Sequence, residues 1–295
     1  MKKNHKAGFV NIIGMPNAGK STLMNALTGE KLSIVTSKVQ TTRHRVMGIV
    51  NGDDFQLVYS DTPGFVKPHC VLHKAMLKYI EIAIEDGDII LYIVDASSSN
   101  QDKDLLKLLE NIKIPLFIVI NKIDLSNQNT IETMVEYWHI QFPEAFIIPV
   151  SALYKANLDV LFNNLIKLLP ESPPYFPKDE LTNKSLRFFV SEIIREKIFL
   201  NYYKEIPYCT EVIIEQFLEN ENLVKINAVI YVEKESQKAI ILGDKGSAIK
   251  KIGIESRKDI EKMIDNNVYL DIAVKVSKKW RDNPIQLKRF GFTEL

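Results

Sequence analysis

Short apolar runs alternate with helical stripes over the first 169 residues of the chain. Each apolar run has the length of a strand, and the stretches between the runs repeat at the spacing of an amphipathic helix, as at Leu158, Leu161 and Leu165. This alternation predicts an α/β fold in which a mostly parallel sheet carries helices on both faces. The predicted strands are residues 8–13, 46–50, 55–60, 88–94, 115–120 and 145–150.

The pattern changes at Pro170. Residues 170–177 read PESPPYFP, and prolines at this density disfavour a helix or a central strand and favour a semi-rigid connector. We therefore predict a first domain over residues 1–169, a Pro-rich linker over 170–180 and a second domain over 181–295.

The second domain reads as a smaller α+β module. An amphipathic helix begins near Leu186, strands are predicted at 211–217 and 224–233, and a glycine loop joins two helical segments before a last strand at 268–276. The order α-β-β-α-α-β with a glycine loop between the middle helices is typical of a KH module, which binds RNA. The segment 278–289 predicts either a capping helix or an additional RNA contact.

Composition narrows the class of protein. At 295 residues the chain can bury two hydrophobic cores, and its formal net charge of +1 gives no bulk signal for nucleic acid. Cys70 and Cys209 form no C-x-x-C pair, which favours a reducing, cytoplasmic location. No apolar run approaches the roughly 18 residues of a membrane span, so any membrane contact would be peripheral.

Residues 14–21 read GMPNAGKS and match the phosphate-binding loop G-x-x-x-x-G-K-[ST]. A predicted strand precedes this phosphate loop and a helical stretch follows it, which is the context that the motif needs. Backbone N–H groups would surround a polyphosphate, Lys20 would reach its β- and γ-phosphates, and Ser21 would offer a hydroxyl to Mg²⁺. The predicted nucleotide contacts are Gly14, Met15, Pro16, Asn17, Ala18, Gly19, Lys20, Ser21 and Thr22.

A long polar stretch without a clear period covers residues 31–45, and we name it the switch loop. Because long loops beside a phosphate site are commonly functional, we predict that Thr42, or alternatively Thr41, closes over Mg²⁺ when a γ-phosphate is present. Arg43 and Arg45 could act as catalytic arginines, but their position after the threonine favours solvated or RNA-facing side chains.

Asp61, Thr62, Pro63 and Gly64 directly follow a predicted strand. The carboxylate would hold Mg²⁺ through water, and the backbone N–H of Gly64 would bind a γ-phosphate oxygen and release it after hydrolysis. Phe65 stands where a glutamine would be expected if a side-chain amide oriented the attacking water, so another group must position that water. The predicted Mg²⁺ ligands are Ser21, Thr42 and Asp61, and the predicted catalytic residues are Lys20, Thr42, Gly64 and Asn17.

Residues 121–124 read NKID at the end of another predicted strand, and Asn121, Lys122 and Asp124 are predicted nucleotide contacts. The Asp124 carboxylate would accept hydrogen bonds from the N1–H and the exocyclic amine of guanine, which adenine does not offer. Residues 151–153 follow the last strand, and the backbones of Ser151, Ala152 and Leu153 would contact the same base. The sequence therefore predicts a guanine-specific site.

The glycine loop of the second domain, from Gly243 to Gly246, predicts a clamp for about four nucleotides of single-stranded RNA. The alternative is a hinge between two helices. The domain is only mildly basic, so RNA affinity would depend on a local patch and on base stacking. The predicted RNA contacts are Ile241, Gly243, Lys245, Gly246, Lys250 and Lys251.

His69, Cys70 and His73 lie close together in the sequence and suggest a metal site at first sight. Because no second group of ligands accompanies them, we predict a mobile, solvated segment and no zinc.

These motifs together resemble the Era family of bacterial GTPases over almost the whole chain. The resemblance rests on the phosphate loop, QTTRHR at residues 40–45, DTPG, NKID, SAL, PPYFP at residues 173–177 and the KH loop. It implies a TRAFAC-class GTPase domain followed by a type II KH domain, slow intrinsic GTP hydrolysis, and binding to the 3′ end of 16S ribosomal RNA during 30S subunit assembly. It also implies loose association with the inner membrane. We further predict a monomer located in the cytoplasm.

Two other functions compete with this interpretation. One is an RNA-binding assembly factor that uses GTP as a structural ligand without meaningful turnover, which Phe65 favours slightly. The other is a related GTPase of tRNA modification or large-subunit assembly, which the KH module and the single phosphate loop disfavour.

Asn17 leads to a hypothesis that the site binds a monovalent cation in addition to Mg²⁺. With Phe65 after DTPG, it resembles an arrangement in some Era-like GTPases that recruit K⁺ beside the phosphates, where the amide oxygen is a ligand. The alternative is that Asn17 only braces the phosphate loop or the switch loop.

Overall fold

The computed structural model describes residues 5–98 and 102–293. The polypeptide forms two compact units. The first contains the chain up to residue 68 together with 76–183, and the second contains residues 69–75 together with the chain from residue 184 onward.

Within the described residues, the first unit contains six strands: β1 (Lys6–Gly14), β2 (Val46–Asn51), β3 (Phe55–Asp61), β4 (Ile89–Asp95), β5 (Leu116–Asn121) and β6 (Phe146–Pro149). They form one sheet in the order β2-β3-β1-β4-β5-β6, and every neighbouring pair is parallel except β2 with β3. Nearly every residue of β4 and β5 is buried, as expected for continuous apolar runs covered on both faces. The predicted α/β fold is confirmed.

Helices alternate with these strands: α1 (Lys20–Thr28), α2 (Val71–Glu85), α3 (Lys103–Glu110), α4 (Gln128–Gln141) and α5 (Leu158–Leu168). Local sequence explains several of their ends. The side chain of Asn127 accepts a hydrogen bond from the Thr130 N–H at 2.9 Å and caps α4. Gly29 ends α1 at a φ of 78°, a left-handed conformation that glycine adopts without a Cβ penalty.

The parallel pairing sets the chemical groups along one edge of the sheet. Asp61 at the end of β3 lies beside Ile12 of β1, and Asn121 at the end of β5 lies beside Asp95 at the end of β4. Ligands of such sheets bind beyond the carboxyl ends of the strands. The motifs found in the sequence therefore meet at this edge.

The histidine and cysteine segment differs from its prediction. Helix α2 begins at Val71, and His73 is buried in its first turn, so this part of the segment is not solvated. The apolar positions Leu72 and Met76 are buried as well, which gives the helix a packed face.

The Pro-rich segment is bound to the first unit. The carboxamide of Gln56 on β3 is fully buried and accepts hydrogen bonds from the Tyr175 and Phe176 N–H groups at 2.7 and 3.0 Å. Its nitrogen donates to the Phe176 carbonyl at 2.9 Å, and the Ile49 N–H of β2 donates to the Leu181 carbonyl at 2.9 Å. Residues 170–183 thus line the sheet, because the backbone N–H and C=O groups of this segment that are not in a helix or strand find hydrogen-bond partners there.

The second unit contains α6 (Leu186–Asn201), β7 (Glu211–Asn220), β8 (Leu223–Val232), α7 (Glu235–Leu242), α8 (Ser247–Ile264), β9 (Val268–Val276) and α9 (Pro284–Arg289). The sheet order is β7-β8-β9, with an antiparallel first pair and a parallel second pair. Apolar side chains at every second position of β8 and β9, such as Ile226, Ile230 and Val274, pack against the helices. The predicted α-β-β-α-α-β module is confirmed.

The tail of the chain caps this module. Trp280 is fully buried and its indole N–H donates to the Cys209 carbonyl at 3.0 Å, while Phe290 packs on Tyr231 with ring centroids 4.9 Å apart. Arg281 donates to Glu233 at 2.5 Å. Of the two alternatives for residues 278–289, the structure supports the capping helix.

Among the described residues, no helix is both long enough and apolar enough to cross a membrane.

Candidate nucleotide and RNA sites

Two glycines shape the phosphate loop. Gly14 and Gly19 have φ values of 152° and 94°. A Cβ on Gly14 would lie 2.6 Å from the Ile93 carbonyl oxygen, and one on Gly19 would lie 2.2 Å from the side-chain nitrogen of Asn121. Both positions therefore require glycine, for backbone conformation and for space.

Lys20 is held at the phosphate loop. Its ammonium group donates to the carbonyls of Gly14 and Met15 at 3.2 and 2.8 Å. Burial lowers the pKa of Lys20 to about 8, and the nearby Asp61 opposes this shift. The side chain thus places a positive group where the loop would hold the phosphates.

Three oxygen-bearing side chains meet below the phosphate loop. The Ser21 hydroxyl donates to Asp61 at 2.6 Å and lies 2.9 Å from the Thr42 hydroxyl, which is itself 3.4 Å from Asp61. Burial raises the pKa of Asp61, and its hydrogen bonds and Lys20 oppose the shift. Hydroxyl and carboxylate oxygens are the ligands that Mg²⁺ prefers, so this group fits the ion chemically.

The structure favours Thr42 over Thr41 as the third member of this group. Thr41 donates to the Lys38 carbonyl at 2.7 Å, and its hydroxyl lies 2.7 Å from that of Thr36. Its hydroxyl is thereby engaged within the switch loop, whereas Thr42 reaches Ser21.

The switch loop and the phosphate loop enclose a cavity of about 370 Å³. The side-chain nitrogen of Asn17 donates to the Ser37 carbonyl at 2.9 Å and joins the two loops. This is the bracing role considered for Asn17, and it leaves the amide oxygen as the atom that a cation would use. The cavity lining includes Pro16, Asn17, Lys20, Ser21, Thr36, Ser37, Thr42 and Gly64.

The structure corrects the expectation that the side chains of Arg43 and Arg45 are solvated or face RNA. Both side chains are buried, at 1% and 8% exposure, and so are neither solvated nor available to RNA. Arg45 pairs with Asp86 at 2.5 Å. A buried guanidinium needs such partners, and no local signal in the sequence identifies an aspartate 41 residues away.

The DTPG segment packs on the phosphate loop. The Thr62 hydroxyl donates to the Ile12 carbonyl at 2.8 Å, and a Cβ on Gly64 would lie 2.8 Å from Cα of Pro16. Phe65 donates its N–H to the Gly14 carbonyl at 3.1 Å and buries its ring in the apolar core. Phe65 therefore anchors the segment and contributes no polar group to the site.

Asn121 joins the loops around the predicted base site. Its side-chain nitrogen donates to the Ala18 carbonyl at 2.9 Å, and its side-chain oxygen accepts from the Ala152 N–H at 3.0 Å. The Ser151 hydroxyl donates to one carboxylate oxygen of Asp124 at 2.5 Å. This hydrogen bond orients the Asp124 carboxylate. The Leu153 side chain is exposed, which is consistent with the prediction that the backbone of Leu153 contacts the base.

Asp95 is a site residue that the sequence motifs do not include. It accepts a hydrogen bond from the Lys122 ammonium at 2.6 Å, and Lys122 has a left-handed φ of 65°. Burial opposes ionisation of Asp95, but the hydrogen bonds from Lys122 and Ser97 prevail and lower its pKa. Its place at the end of β4, beside the NKID strand, is a signal that could have identified it.

The KH loop joins α7 and α8. Gly243 and Gly246 have φ values of 70° and 80°, and Lys245 between them also has a positive φ of 47°. A Cβ on Gly243 would lie 2.6 Å from Cβ of Ala248, whereas the nearest described atom to a Cβ on Gly246 would be a methyl carbon of Ile249 at 4.0 Å. Gly243 is therefore needed for packing, while Gly246 leaves an open surface.

The predicted RNA contacts divide into two groups. Lys245, Lys250 and Lys251 are exposed around the KH loop, as a backbone clamp requires. Ile241 is fully buried in the core of the module, and its carbonyl accepts a hydrogen bond from the Tyr202 hydroxyl at 2.7 Å. The prediction of an Ile241 side-chain contact with RNA is corrected, because helical spacing does not separate a core face from a ligand face.

A groove beside this loop was also missed. It lies between α8 and β9, has a volume of about 270 Å³, and combines an apolar floor with two basic side chains. An apolar floor suits base stacking, and basic side chains suit the phosphate backbone. The lining residues are Ile249, Lys250, Gly253, Ile254, Arg257, Leu270 and Ile272.

Fold and site together define a P-loop GTPase that carries a C-terminal KH domain. Family models agree: residues 9–122 match the family described as 50S ribosome-binding GTPase, and residues 205–281 match the KH domain. Full-length similarity is more specific than either model. The chain belongs to the GTPase Era family, whose members hydrolyse GTP.

Two curated relatives illustrate this similarity. GTPase Era of Syntrophus aciditrophicus is 43% identical over 294 residues, covering 98% of this chain and 96% of that protein. GTPase Era of Clostridium kluyveri is 44% identical over 290 residues, covering 97% of this chain and 99% of that protein.

Two solved structures resemble the whole chain at 37% identity. One is Era in complex with MgGDPNP and nucleotides 1506–1542 of 16S ribosomal RNA, with a TM-score of 0.93 and coverage of 98% of this chain and 99% of that chain. The other is a variant of Aquifex aeolicus Era bound to GDP.AlF4⁻, with a TM-score of 0.92 and coverage of 97% and 99%.

Proposed function

We propose that this GTPase binds the 3′ end of 16S ribosomal RNA through its KH domain and uses GTP hydrolysis to time its action in 30S subunit assembly. The observation that carries the proposal is the groove between α8 and β9, beside the exposed lysines of the KH loop. The similar Era structure that holds RNA nucleotides 1506–1542 supports this class of partner.

For hydrolysis we assign roles to this chain's own residues. Lys20 would neutralise charge on the β- and γ-phosphates, and the backbone N–H of Gly64 would hold a γ-phosphate oxygen. Ser21, Thr42 and Asp61 would hold Mg²⁺, which supplies further neutralisation of phosphate charge when it is bound. Since Phe65 is in the core, the attacking water would be oriented by backbone groups of the switch loop and DTPG.

The rival function, GTP as a structural ligand without turnover, is disfavoured by membership of a GTPase family. The cytoplasmic location, the monomeric state and the loose membrane association stay predictions.

We expect Gly246→Asp to weaken RNA binding about 10-fold or more, a loss comparable to one base or backbone contact. The new carboxylate would lie in open space at the KH loop, where it would repel a phosphodiester backbone. Fluorescence anisotropy of a labelled RNA with the sequence of the 16S 3′ end measures the affinity.

Gly246→Asn is the matched control, because asparagine has the same size and tolerates a positive φ but carries no charge. Guanine nucleotide binding should be equal in both variants. If Gly246→Asp binds the RNA as tightly as the unmodified protein, the KH loop is not the RNA clamp.

We also propose that the amide oxygen of Asn17 binds K⁺ beside the phosphates. K⁺ should then accelerate GTP hydrolysis about 10²-fold relative to Na⁺, as expected for one well-placed positive group. Steady-state phosphate release in matched KCl and NaCl measures the ratio.

Two substitutions separate cation binding from bracing. Asn17→Asp keeps an oxygen but loses the N–H that donates to Ser37, whereas Asn17→Ala loses both. Cation binding predicts that Asn17→Asp keeps its K⁺ response and Asn17→Ala loses it. Equal rates of the unmodified protein in both salts would contradict the proposal.

A further inference from the structure

Arg45, at the end of the switch loop, has a buried guanidinium with several partners. It donates to the Ser60 hydroxyl at 2.6 Å, to both carboxylate oxygens of Asp86 at 2.5 and 2.9 Å, and to the side-chain oxygen of Asn11 at 3.1 Å. Two parallel hydrogen bonds to one carboxylate fix the orientation of an arginine as well as its position.

The partners of Arg45 belong to the rigid frame of the GTPase domain. Asn11 lies within β1, Ser60 lies in β3 immediately before Asp61, and Asp86 directly follows α2. Asn11 also donates to Asp86 at 2.9 Å and to the Ala83 carbonyl at 2.5 Å. Arg45 therefore joins the switch loop to a network that is itself hydrogen-bonded.

The switch loop has a second anchor at its beginning. The side-chain oxygen of Asn25 on α1 accepts from the Leu32 and Ser33 N–H groups at 3.0 Å each, and its nitrogen donates to the Ser33 carbonyl at 2.8 Å. The part of the loop between these two anchors lines the nucleotide cavity. Thr42 lies three residues from Arg45 and nine from Ser33, so Arg45 is its nearer anchor.

We propose that Arg45 is a positioning residue that holds Thr42 beside Ser21 and Asp61 and thereby sets the Mg²⁺ affinity of the GTP-bound state. The inference rests on the proposed role of Thr42 as a Mg²⁺ ligand. Arg45 acts on Thr42 through the three residues of chain that connect the two positions. Partners that orient metal ligands typically change metal affinity about 10- to 100-fold when they are removed.

The chemistry at this position requires arginine. A lysine would keep the charge, but its single ammonium group cannot make two parallel bonds to Asp86 and also reach Ser60 and Asn11. Arg45→Lys should therefore loosen the end of the loop while leaving Asp86 paired with a cation, so the protein should still fold.

The test is a Mg²⁺ titration of nucleotide binding by the full-length protein. With a fluorescent non-hydrolysable GTP analogue, Arg45→Lys should raise the half-saturating Mg²⁺ concentration about 10-fold. With fluorescent GDP, the Mg²⁺ requirement should not change, because Thr42 is proposed to contact the ion only when a γ-phosphate is present. Asp86→Asn provides a second variant of the same contact and should act in the same direction.

Arg195→Lys is the matched control. Arg195 in the KH domain is also buried and donates two hydrogen bonds to one carboxylate, that of Glu192, at 2.7 and 2.5 Å. Its substitution removes a comparable contact in the KH domain, outside the residues assigned to nucleotide binding. It should leave the Mg²⁺ titration unchanged.

The combination with Thr42→Ala distinguishes the possible failures. If Arg45 acts through Thr42, adding Arg45→Lys to Thr42→Ala should change nothing further. Additive effects, or an equal effect on GDP, would overturn the inference in favour of a general structural role. If Thr42→Ala raises the Mg²⁺ requirement and Arg45→Lys does not, the inference alone is wrong. If Thr42→Ala itself has no effect, the proposed Mg²⁺ role of Thr42 is wrong and the inference falls with it.

Discussion

Asp124→Asn is expected to transfer the base preference of this GTPase from guanine to xanthine nucleotides. The oxygen of the asparagine side chain can still accept the hydrogen bond from the Ser151 hydroxyl. Its NH₂ group is a donor, however, and would oppose the exocyclic amine of guanine, which is a donor as well. Xanthine has a carbonyl at that position and can accept this donor. A site that is built to hydrogen-bond one group of its substrate typically rejects an analogue that cannot make this bond by on the order of 10⁴-fold. The ratio of GDP affinity to XDP affinity should therefore fall by about that factor.

Competition of GDP and XDP against a fluorescent nucleotide measures this ratio. Asp95→Asn is the matched control, because Asp95 lies at the same edge of the sheet but its carboxylate binds the Lys122 ammonium. This substitution should lower the affinity for both GDP and XDP and leave the ratio of the two affinities unchanged. Unchanged GDP affinity in Asp124→Asn would refute the assignment of Asp124 to base recognition.

Gly19→Ala should reduce affinity for both GDP and GTP by about 10²-fold, the scale expected when a site is displaced by about 1 Å. The added methyl group would lie 2.2 Å from the side-chain nitrogen of Asn121, and Asn121 is itself 2% exposed and cannot move into solvent. Its bonds to Ala18 and Ala152 would break. One methyl group would thus disturb both the phosphate loop and the base site.

Gly29→Ala separates this effect from backbone strain. Gly29 lies at the opposite end of α1 with a similar φ of 78°, but a Cβ there would have no neighbour within 4 Å among the residues that the structure describes. The substitution should cost about 1 kcal/mol of folding free energy and leave nucleotide affinity unchanged. Isothermal titration calorimetry and thermal unfolding measure the two quantities. Equal nucleotide affinity in both alanine variants would show that the Gly19 contact with Asn121 is unimportant.

The sequence predicts much of the site because its motifs are local. A glycine loop between a strand and a helix, or an aspartate at a strand end, is visible within about ten residues, and strand order then brings these groups to one edge. The strands of the first domain agree with their predicted ranges to within two residues at each end. The KH topology followed from the period of its apolar positions in the same way.

Polar side chains were harder to predict, because their environment depends on distant partners. Arg45 and Lys245 are both basic residues in loops, yet one is buried against Asp86 and the other is exposed. Ile241 shows the same difficulty among apolar residues, since its proximity to the KH loop in sequence does not reveal that it faces the core.

What the sequence by itself determined is the class of chemistry: a phosphate loop, a candidate Mg²⁺ site, a guanine-reading carboxylate and a KH loop, in an order that defines the fold. Only the tertiary structure decided how these parts are held. Asn121 joins the phosphate loop to the base site, Asp95 orients Lys122, and Gln56 binds the Pro-rich segment. The physical reason is that a buried polar group must find its hydrogen-bond partners in space. Ala18 lies 103 positions from Asn121, Lys122 lies 27 from Asp95, and Tyr175 lies 119 from Gln56.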